Sequence, residues 1–294
     1  MKTRSTLGIS EPWQGLCSDS FTESRRATSA ALQIYCIYEQ ESSLQHPENL
    51  PRNPSQAILP EMASASMSTS DAHENQDLSK LKFQKLLQAA MKYKARSHNT
   101  YQSTHVTGLN AEPKVDINTV LIGDSMFERL KNTGRNTRFA QLPSSFNAGV
   151  GGDKIENVLY RLDLGLMSQL DTRNVKLWVV MIGTNNLKKA LKKVEVERYR
   201  LLLQALLRIS PRSRILCCEI FKRKDIDDCH VEESNRAIRG VIEEMNGNLG
   251  EKIFWVEAPD GVTKERLVDH VHLDKEGYIL WDEVLYARVE ELSK

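Results

Sequence analysis

Four short stretches of the chain carry residue types that could do chemistry together. Gly123-Asp124-Ser125 follows the apolar run Val120 to Ile122 and precedes Met126-Phe127-Glu128-Arg129-Leu130, a helical start. A serine at such a strand-to-helix turn meets backbone N–H groups and a positive dipole end, which stabilise an alkoxide or a neighbouring oxyanion. As a plain helix cap the same serine would do no chemistry. Asn147-Ala148-Gly149-Val150-Gly151-Gly152-Asp153 is a loop whose glycines let a backbone N–H approach a ligand closely, or simply make a tight turn. A dinucleotide fingerprint would need glycine where Lys154 stands, and no phosphate-loop Gly-Lys-Ser/Thr occurs, so the loop suits an oxyanion better than a pyrophosphate.

Gly183-Thr184-Asn185-Asn186 ends a third apolar run. An Asn amide there can donate to a developing oxyanion, or close an Asx turn on its own backbone. The last stretch is Asp269-His270-Val271-His272-Leu273-Asp274. Asp and His three apart on one turn allow the carboxylate to fix the imidazole through Nδ1, leaving Nε2 as a base for Ser125. Two other readings stay open. Asp269, His270 and His272 could ligate a metal, although three ligands so close on one segment strain a tetrahedral site, or Asp269 could cap a helix beside surface histidines.

The elements that must position these residues are legible from apolar patterning. Runs at Val120 to Ile122, Leu177 to Ile182, Ile215 to Ile220 and Ile253 to Val256, with a shorter one at Phe146 to Ala148, predict buried strands. Helical spacing predicts helices over Lys154 to Met167, Val194 to Ile209, Val231 to Asn246 and Lys275 to Leu292. Strands apolar on both faces, alternating with helices, indicate an α/β fold: a three-layer α/β/α, doubly wound, flavodoxin-like domain with a parallel five-stranded sheet. Its ligand sites are expected at the carboxyl ends of the strands, where all four stretches fall.

That domain is assigned to residues 115–294. Residues 1–76 are rich in Ser, Gln, Glu and Asn, hold five of the nine prolines and show no sustained period, so they are read as disordered. Residues 77–114 are read as a basic amphipathic helix, to about Arg96, and a linker; the helix has Phe83, Leu86, Leu87 and Ala90 at helical spacing. It is expected to lie across the following domain rather than on a membrane.

Forty Lys and Arg balance 39 Asp and Glu, and residues 1–114 hold 12 basic and 11 acidic side chains, leaving 28 of each for the remainder. Neither part offers the cationic field on which nucleic-acid binding depends. Five cysteines with no CxxC spacing suggest a reducing compartment and no zinc pattern. Met1-Lys2-Thr3-Arg4 is not followed by the apolar core of a leader, and no apolar run is long enough to cross a bilayer. A cytoplasmic protein without stable membrane insertion is expected.

Taken in order, the four stretches resemble the sequence blocks of the SGNH (GDSL) hydrolase family, over about Val115 to the C-terminus. Together with Val158-Leu159-Tyr160-Arg161-Leu162 they look most like the branch formed by the catalytic subunits of intracellular platelet-activating-factor acetylhydrolase. The resemblance implies a serine esterase acting through an acyl-enzyme on a small, short-acyl ester. Ser125 is then the nucleophile, His272 the base and Asp269 its orienter. The N–H groups of Ser125 and Gly152 and the amide of Asn185 form the oxyanion hole. No cofactor or metal is implied, and His270 has no role. It also implies a possible homodimer, since members of that branch dimerise and bind a β-propeller partner. Many members carry Asp where Asn186 stands, but the acetylhydrolase branch is similar here. An α/β-hydrolase is excluded, because its Gly-x-Ser-x-Gly elbow would put glycine where Phe127 is. A catalytically idle binding protein on the same scaffold, and acyl transfer to an alcohol by the same residues, are the rival readings.

Overall fold

The computed structural model describes residues 69–112 and 114–294, so the disorder expected for the arm falls, up to residue 68, outside the described residues. Five strands form one parallel sheet: β1 (Thr119–Gly123), β2 (Ser145–Gly149), β3 (Leu177–Met181), β4 (Arg214–Cys218) and β5 (Ile253–Val256), in the order β2-β1-β3-β4-β5. This is the flavodoxin-like doubly wound order, and the chain changes direction of winding between β1 and β3. The α/β class and five-stranded sheet expected from the sequence are therefore present.

Among the described residues the α-helices are α1 (Thr69–Ala90), α2 (Ala95–Thr100), α3 (Val106–Leu109), α4 (Ser125–Glu128), α5 (Ile155–Arg161), α6 (Met167–Asp171), α7 (Lys193–Ile209), α8 (Asp228–Leu249) and α9 (Lys275–Leu292). Among the described residues no helix is long and apolar enough to cross a membrane.

Alternation along the strands explains the three layers. Val120, Ile122, Trp178, Val180, Ile215 and Cys217 point into one core with Leu159 of α5, Leu202 and Leu206 of α7 and Ile238 of α8. Leu121, Leu177, Val179, Leu216 and Cys218 point into the other, against Phe127 of α4 and Tyr278, Trp281 and Leu285 of α9. With both faces covered, every residue of β1 and β3 is buried. Truncating such a side chain, for example Leu202→Ala, costs roughly 2–5 kcal/mol through lost burial and the cavity left behind.

The ends of the elements are set by identifiable contacts. The Glu195 carboxylate accepts from the Lys192 N–H at 2.8 Å, closing the start of α7, and Asp274 accepts from the Gly277 N–H at 2.6 Å, capping α9. Gly123 must be glycine because a Cβ there would stand 2.0 Å from the Met181 carbonyl oxygen of β3. The stretch predicted as one helix from Lys154 is instead broken. After α5 the backbone widens through Leu162–Leu166, where Gly165 has φ of +142°, before α6 begins.

Residues 69–114 depart from expectation in two ways. First, the helix begins at Thr69, inside the stretch read as disordered, and ends at Ala90 rather than near Arg96. It ends there because the Lys92 N–H donates to the Glu156 carbonyl at 2.9 Å while the Asn157 amide donates to the Lys92 carbonyl at 2.9 Å, which takes the chain out of the helix into a stretch that ends with extended backbone at Lys94. Second, residues 95–109 are helical and packed rather than a linker. Tyr101, His105 and Leu109 are buried, as are Phe83 and Leu87 of α1, whereas Leu86 faces solvent. These residues belong to the same compact unit as the sheet. Burial, helped by the positive charges of Arg161 and Lys131, pushes the His105 imidazole down to about 3, so it is neutral in this core.

Candidate active site

Ser125 opens α4 directly after β1, and Asp124 caps that helix, its Oδ1 accepting from the Met126 N–H at 3.0 Å. With only four residues, α4 has little macrodipole, so the local N–H groups rather than aligned peptides are what a charge at Ser125 would feel. The turn is clamped from two sides. The Tyr278 hydroxyl donates to the Met126 carbonyl at 2.8 Å, and the Asn147 amide donates to the Phe127 carbonyl at 2.7 Å. Asp124 is fully buried, and its burial pushes the carboxyl up to about 7, with Asp153 adding to the rise and the Met126 N–H opposing it.

The loop bearing Asp269 and His272 lies between β5 and α9. It is pinned by an antiparallel bridge between buried Leu267 and Leu273, and by the Val268 N–H donating to the His272 carbonyl at 2.8 Å. The Asp269 carboxylate accepts from the N–H groups of Val271 and His272 at 2.9 and 2.8 Å through one oxygen, and lies 2.7 Å from His272 Nδ1 through the other. His272 Nε2 in turn lies 2.8 Å from Ser125 Oγ. With its proton on Nδ1 the imidazole donates to Asp269 and presents the Nε2 lone pair to the serine. Burial alone would raise the Asp269 carboxyl. The hydrogen bonds from the His272 ring and the two backbone N–H groups outweigh it and hold the group well below the ordinary carboxylate range, so it stays ionised.

The glycine loop after β2 turns sharply. Val150 N–H donates to the Gly123 carbonyl, Asp153 N–H donates to the Val150 carbonyl, and Gly152 has φ of +73° on an exposed corner. Asn185, after β3, reaches this loop: its Nδ2 donates to the Asp153 carbonyl at 2.9 Å, which leaves the second amide hydrogen for another acceptor. Asn186 is used differently. It is buried, its Oδ1 accepts from the Ile155 N–H at 3.1 Å at the start of α5, and its Nδ2 donates to Glu156 at 3.0 Å. The Gly152 loop and Asn185 are thus adjacent, and Ser125, His272 and Asp269 form one chain of contacts. His270 stands apart, with an exposed side chain and its carbonyl accepting from the Lys224 N–H. Among the described residues no group of three His, Cys, Asp or Glu is placed to hold a metal ion. A cavity of about 430 Å³ opens elsewhere, beyond β4 and β5, lined by Phe221, Lys222, Glu232 and Pro259. None of the five candidate residues lines it.

Several supporting residues escape the sequence reading. Arg161, fully buried on α5, donates from Nε to Asp153 at 2.9 Å, from Nη1 to the Ala148 carbonyl at 2.8 Å and from Nη2 to the Gly123 carbonyl at 3.3 Å. One guanidinium thereby ties the ends of β1 and β2 to the glycine loop. Ser97 of α2 donates to the other Asp153 oxygen, and Lys94 lies 3.6 Å from it. Arg223 donates to the Thr184 carbonyl at 2.7 Å and pairs with Asp225. Arg161 lies inside the Val158–Leu162 block, which was a usable signal; nothing in the sequence near Lys94 or Ser97 marks them.

Residues 121–280 match the model of the GDSL-like Lipase/Acylhydrolase family. The chain is similar to platelet-activating factor acetylhydrolase IB subunit alpha1 of Rattus norvegicus, 23% identical over 173 residues that cover 57% of this chain and 71% of the relative. The Pongo abelii protein of the same name is 24% identical over 172 residues, with the same coverage. Among solved structures, a protein of Bacteroides fragilis described as a candidate acylhydrolase superposes with a TM-score of 0.51 at 15% identity, covering 69% of this chain and all of the other, which is a likeness of fold.

Proposed function

The chain belongs to the GDSL-like lipase/acylhydrolase family and is an ester hydrolase, and we propose that it works as a serine esterase through an acyl-enzyme. One observation carries this reading: the continuous run from Ser125 Oγ to His272 Nε2 at 2.8 Å and from His272 Nδ1 to Asp269 at 2.7 Å.

In the first half-reaction Ser125 Oγ attacks the ester carbonyl carbon while His272 Nε2 takes its proton. Asp269, kept ionised by its N–H donors, stabilises the imidazolium without taking the proton itself. The tetrahedral oxyanion is held by the N–H groups of Ser125 and Gly152 and by Asn185 Nδ2, whose second hydrogen is not needed for Asp153. Collapse of the intermediate expels the alcohol, protonated by His272. Water, deprotonated by the same imidazole, then attacks the acyl-enzyme, releasing the carboxylic acid and restoring Ser125.

The substrate we propose is a small ester with a short acyl group. A chain-length series of nitrophenyl esters, run on wild type and Ser125→Ala, tests it. The expected result is turnover falling as the acyl chain lengthens and abolished by the substitution. A fluorophosphonate probe should phosphonylate Ser125, its fluoride leaving, so that the peptide containing Ser125 gains the mass of the phosphonyl group; labelling elsewhere, or turnover that survives in Ser125→Ala, overturns the nucleophile.

A further inference from the structure

The glycine loop has a neighbour from outside the family-matched residues. Lys94 sits in the extended stretch between α1 and α2, its Nζ donating to the Gly151 carbonyl at 3.3 Å. A Cβ built on Gly152 would stand 2.9 Å from that Nζ, so the ammonium flanks the residue proposed above as an oxyanion donor. The stretch is fixed on both sides. Lys92 is bonded to Glu156 and Asn157 of α5 through its backbone, and Ser97 is bonded to Asp153.

The Lys94 cation shares its acid with a second, closer cation. Asp153, the acid it approaches at 3.6 Å, is already matched by the buried Arg161 on one oxygen and by the Ser97 hydroxyl on the other. Of the other cations nearby, Arg96 pairs with Glu128 at 2.9 Å and Arg129 stands 3.9 Å from Asp269, whereas it is the Lys94 ammonium that a Cβ on Gly152 would meet. The Lys94 side chain is still 31% exposed, so its charge is open to a ligand reaching Gly152.

We propose that Lys94 is a specificity-determining residue that favours esters carrying an anionic group, a carboxylate or phosphate, close to the scissile carbonyl. This rests on the serine esterase reading above. A cation fixed beside the loop attracts such a substrate during approach and holds it when bound, and its effect is screened by salt. Burial holds Asp124, an acid that feels the Lys94 charge, toward its neutral form, so it cancels little of the field below about pH 7. The anion could be borne by the acyl part or by the alcohol part of the ester.

The test compares kcat/KM for 4-nitrophenyl acetate, which is neutral, with mono(4-nitrophenyl) glutarate, whose carboxylate is on the acyl side. A second pair, methyl 4-acetoxybenzoate and 4-acetoxybenzoate, places the carboxylate on the leaving group. The proteins are full-length wild type, Lys94→Gln, Lys94→Glu and Lys94→Arg. The anionic-to-neutral ratio in one pair should fall roughly five- to tenfold in Lys94→Gln and further in Lys94→Glu, and be largely kept in Lys94→Arg. The pair that responds identifies the side of the ester that carries the anion. Equal ratios in wild type and Lys94→Gln for both pairs overturn the proposal. Should the variants fail to fold by circular dichroism, the wild-type ratio itself decides: it should drop between low and about 0.5 M salt, and a salt-independent ratio overturns the proposal. Failure of the esterase reading looks different, because the neutral esters would then not depend on Ser125.

Discussion

The Gly152 loop is approached by two regions built on different terms. On one side, Ser125, Asn185 and Gly152 itself each stand within a few residues of the end of β1, β3 or β2, so the sheet alone brings them together. On the other side, Lys94 and Ser97 lie before β1 and reach Asp153 only because α1 and the extended stretch dock on α5. Positions inherited from strand ends are stiff and local; positions won by docking depend on many distant contacts. Chemistry that needs tight geometry is therefore expected from the first region, and tuning of stability and specificity from the second.

The comparison is broken outright if the first region proves dispensable. Ser125→Ala and His272→Ala should each lower turnover by at least ~10³-fold, because members of a triad act as a unit. His270→Ala should be mild, since its side chain is exposed and it is His272 that bonds both Ser125 and Asp269. The readout is steady-state hydrolysis of a soluble ester; a His270→Ala loss equal to that of His272→Ala, reproduced by a chelator, would instead support the metal reading.

Asn185 and Asn186 sharpen the comparison within one region. Asn185→Ala should reduce kcat by roughly 10²- to 10³-fold with little change in KM, as expected for a donor aimed at charge present only in the transition state. Asn186→Ala should act on stability, because it strips a partner from the Ile155 N–H and from buried Glu156. A cost of roughly 1–3 kcal/mol is expected in chemical denaturation. If the two variants exchange these phenotypes, the register of the third block is wrong.

What was legible in the sequence follows the same division. The apolar runs over Val120 to Ile122, Leu177 to Ile182 and Ile253 to Val256 become strands because both sheet faces are covered, which makes hydrophobicity nearly continuous and easy to read. The candidate residues could be grouped because each follows such a run. The helix after Lys154 was less legible, since its break at Gly165 is a local backbone event inside an apolar pattern. Leu86 shares helical spacing with Phe83 and Leu87, yet it is exposed, because periodicity does not say how wide a stripe the partner covers. The end of α1 was illegible: it is dictated by Glu156 and Asn157, more than sixty residues further along.

Asp124 tests how tightly the first region is packed. Its carboxyl is pushed up to about 7 by burial, so between about pH 4 and 7 the folded protein keeps a proton that the unfolded chain has lost. This group's contribution is therefore fully present below about pH 4 and is lost as pH rises through about 7, a change of a few kcal/mol at most. Asp124→Asn keeps the oxygen that accepts from Met126 and removes the titration. The melting temperature of the variant relative to wild type should accordingly be higher at pH 8 than at pH 5. A difference that does not vary with pH would mean that Asp124 is solvated more than its position under α4 implies.

The smallest effects are expected from the second region. Removing residues 1–68, none of which belongs to a block, should leave turnover on a soluble neutral ester within about twofold. Ser97→Ala goes further in, leaving one oxygen of the buried Asp153 facing only the Lys94 ammonium at 3.6 Å. The cost is roughly 1–3 kcal/mol of stability, because a buried acceptor loses its hydroxyl partner while Arg161 still holds the other oxygen. Turnover should fall only a few-fold, since the loop keeps its tie from Asn185 and its turn from Val150 to Asp153. A loss in Ser97→Ala as large as that in Asn185→Ala, in protein folded by circular dichroism, would erase the distinction between the regions: the docked segment would then set the geometry of the oxyanion loop as firmly as the sheet does.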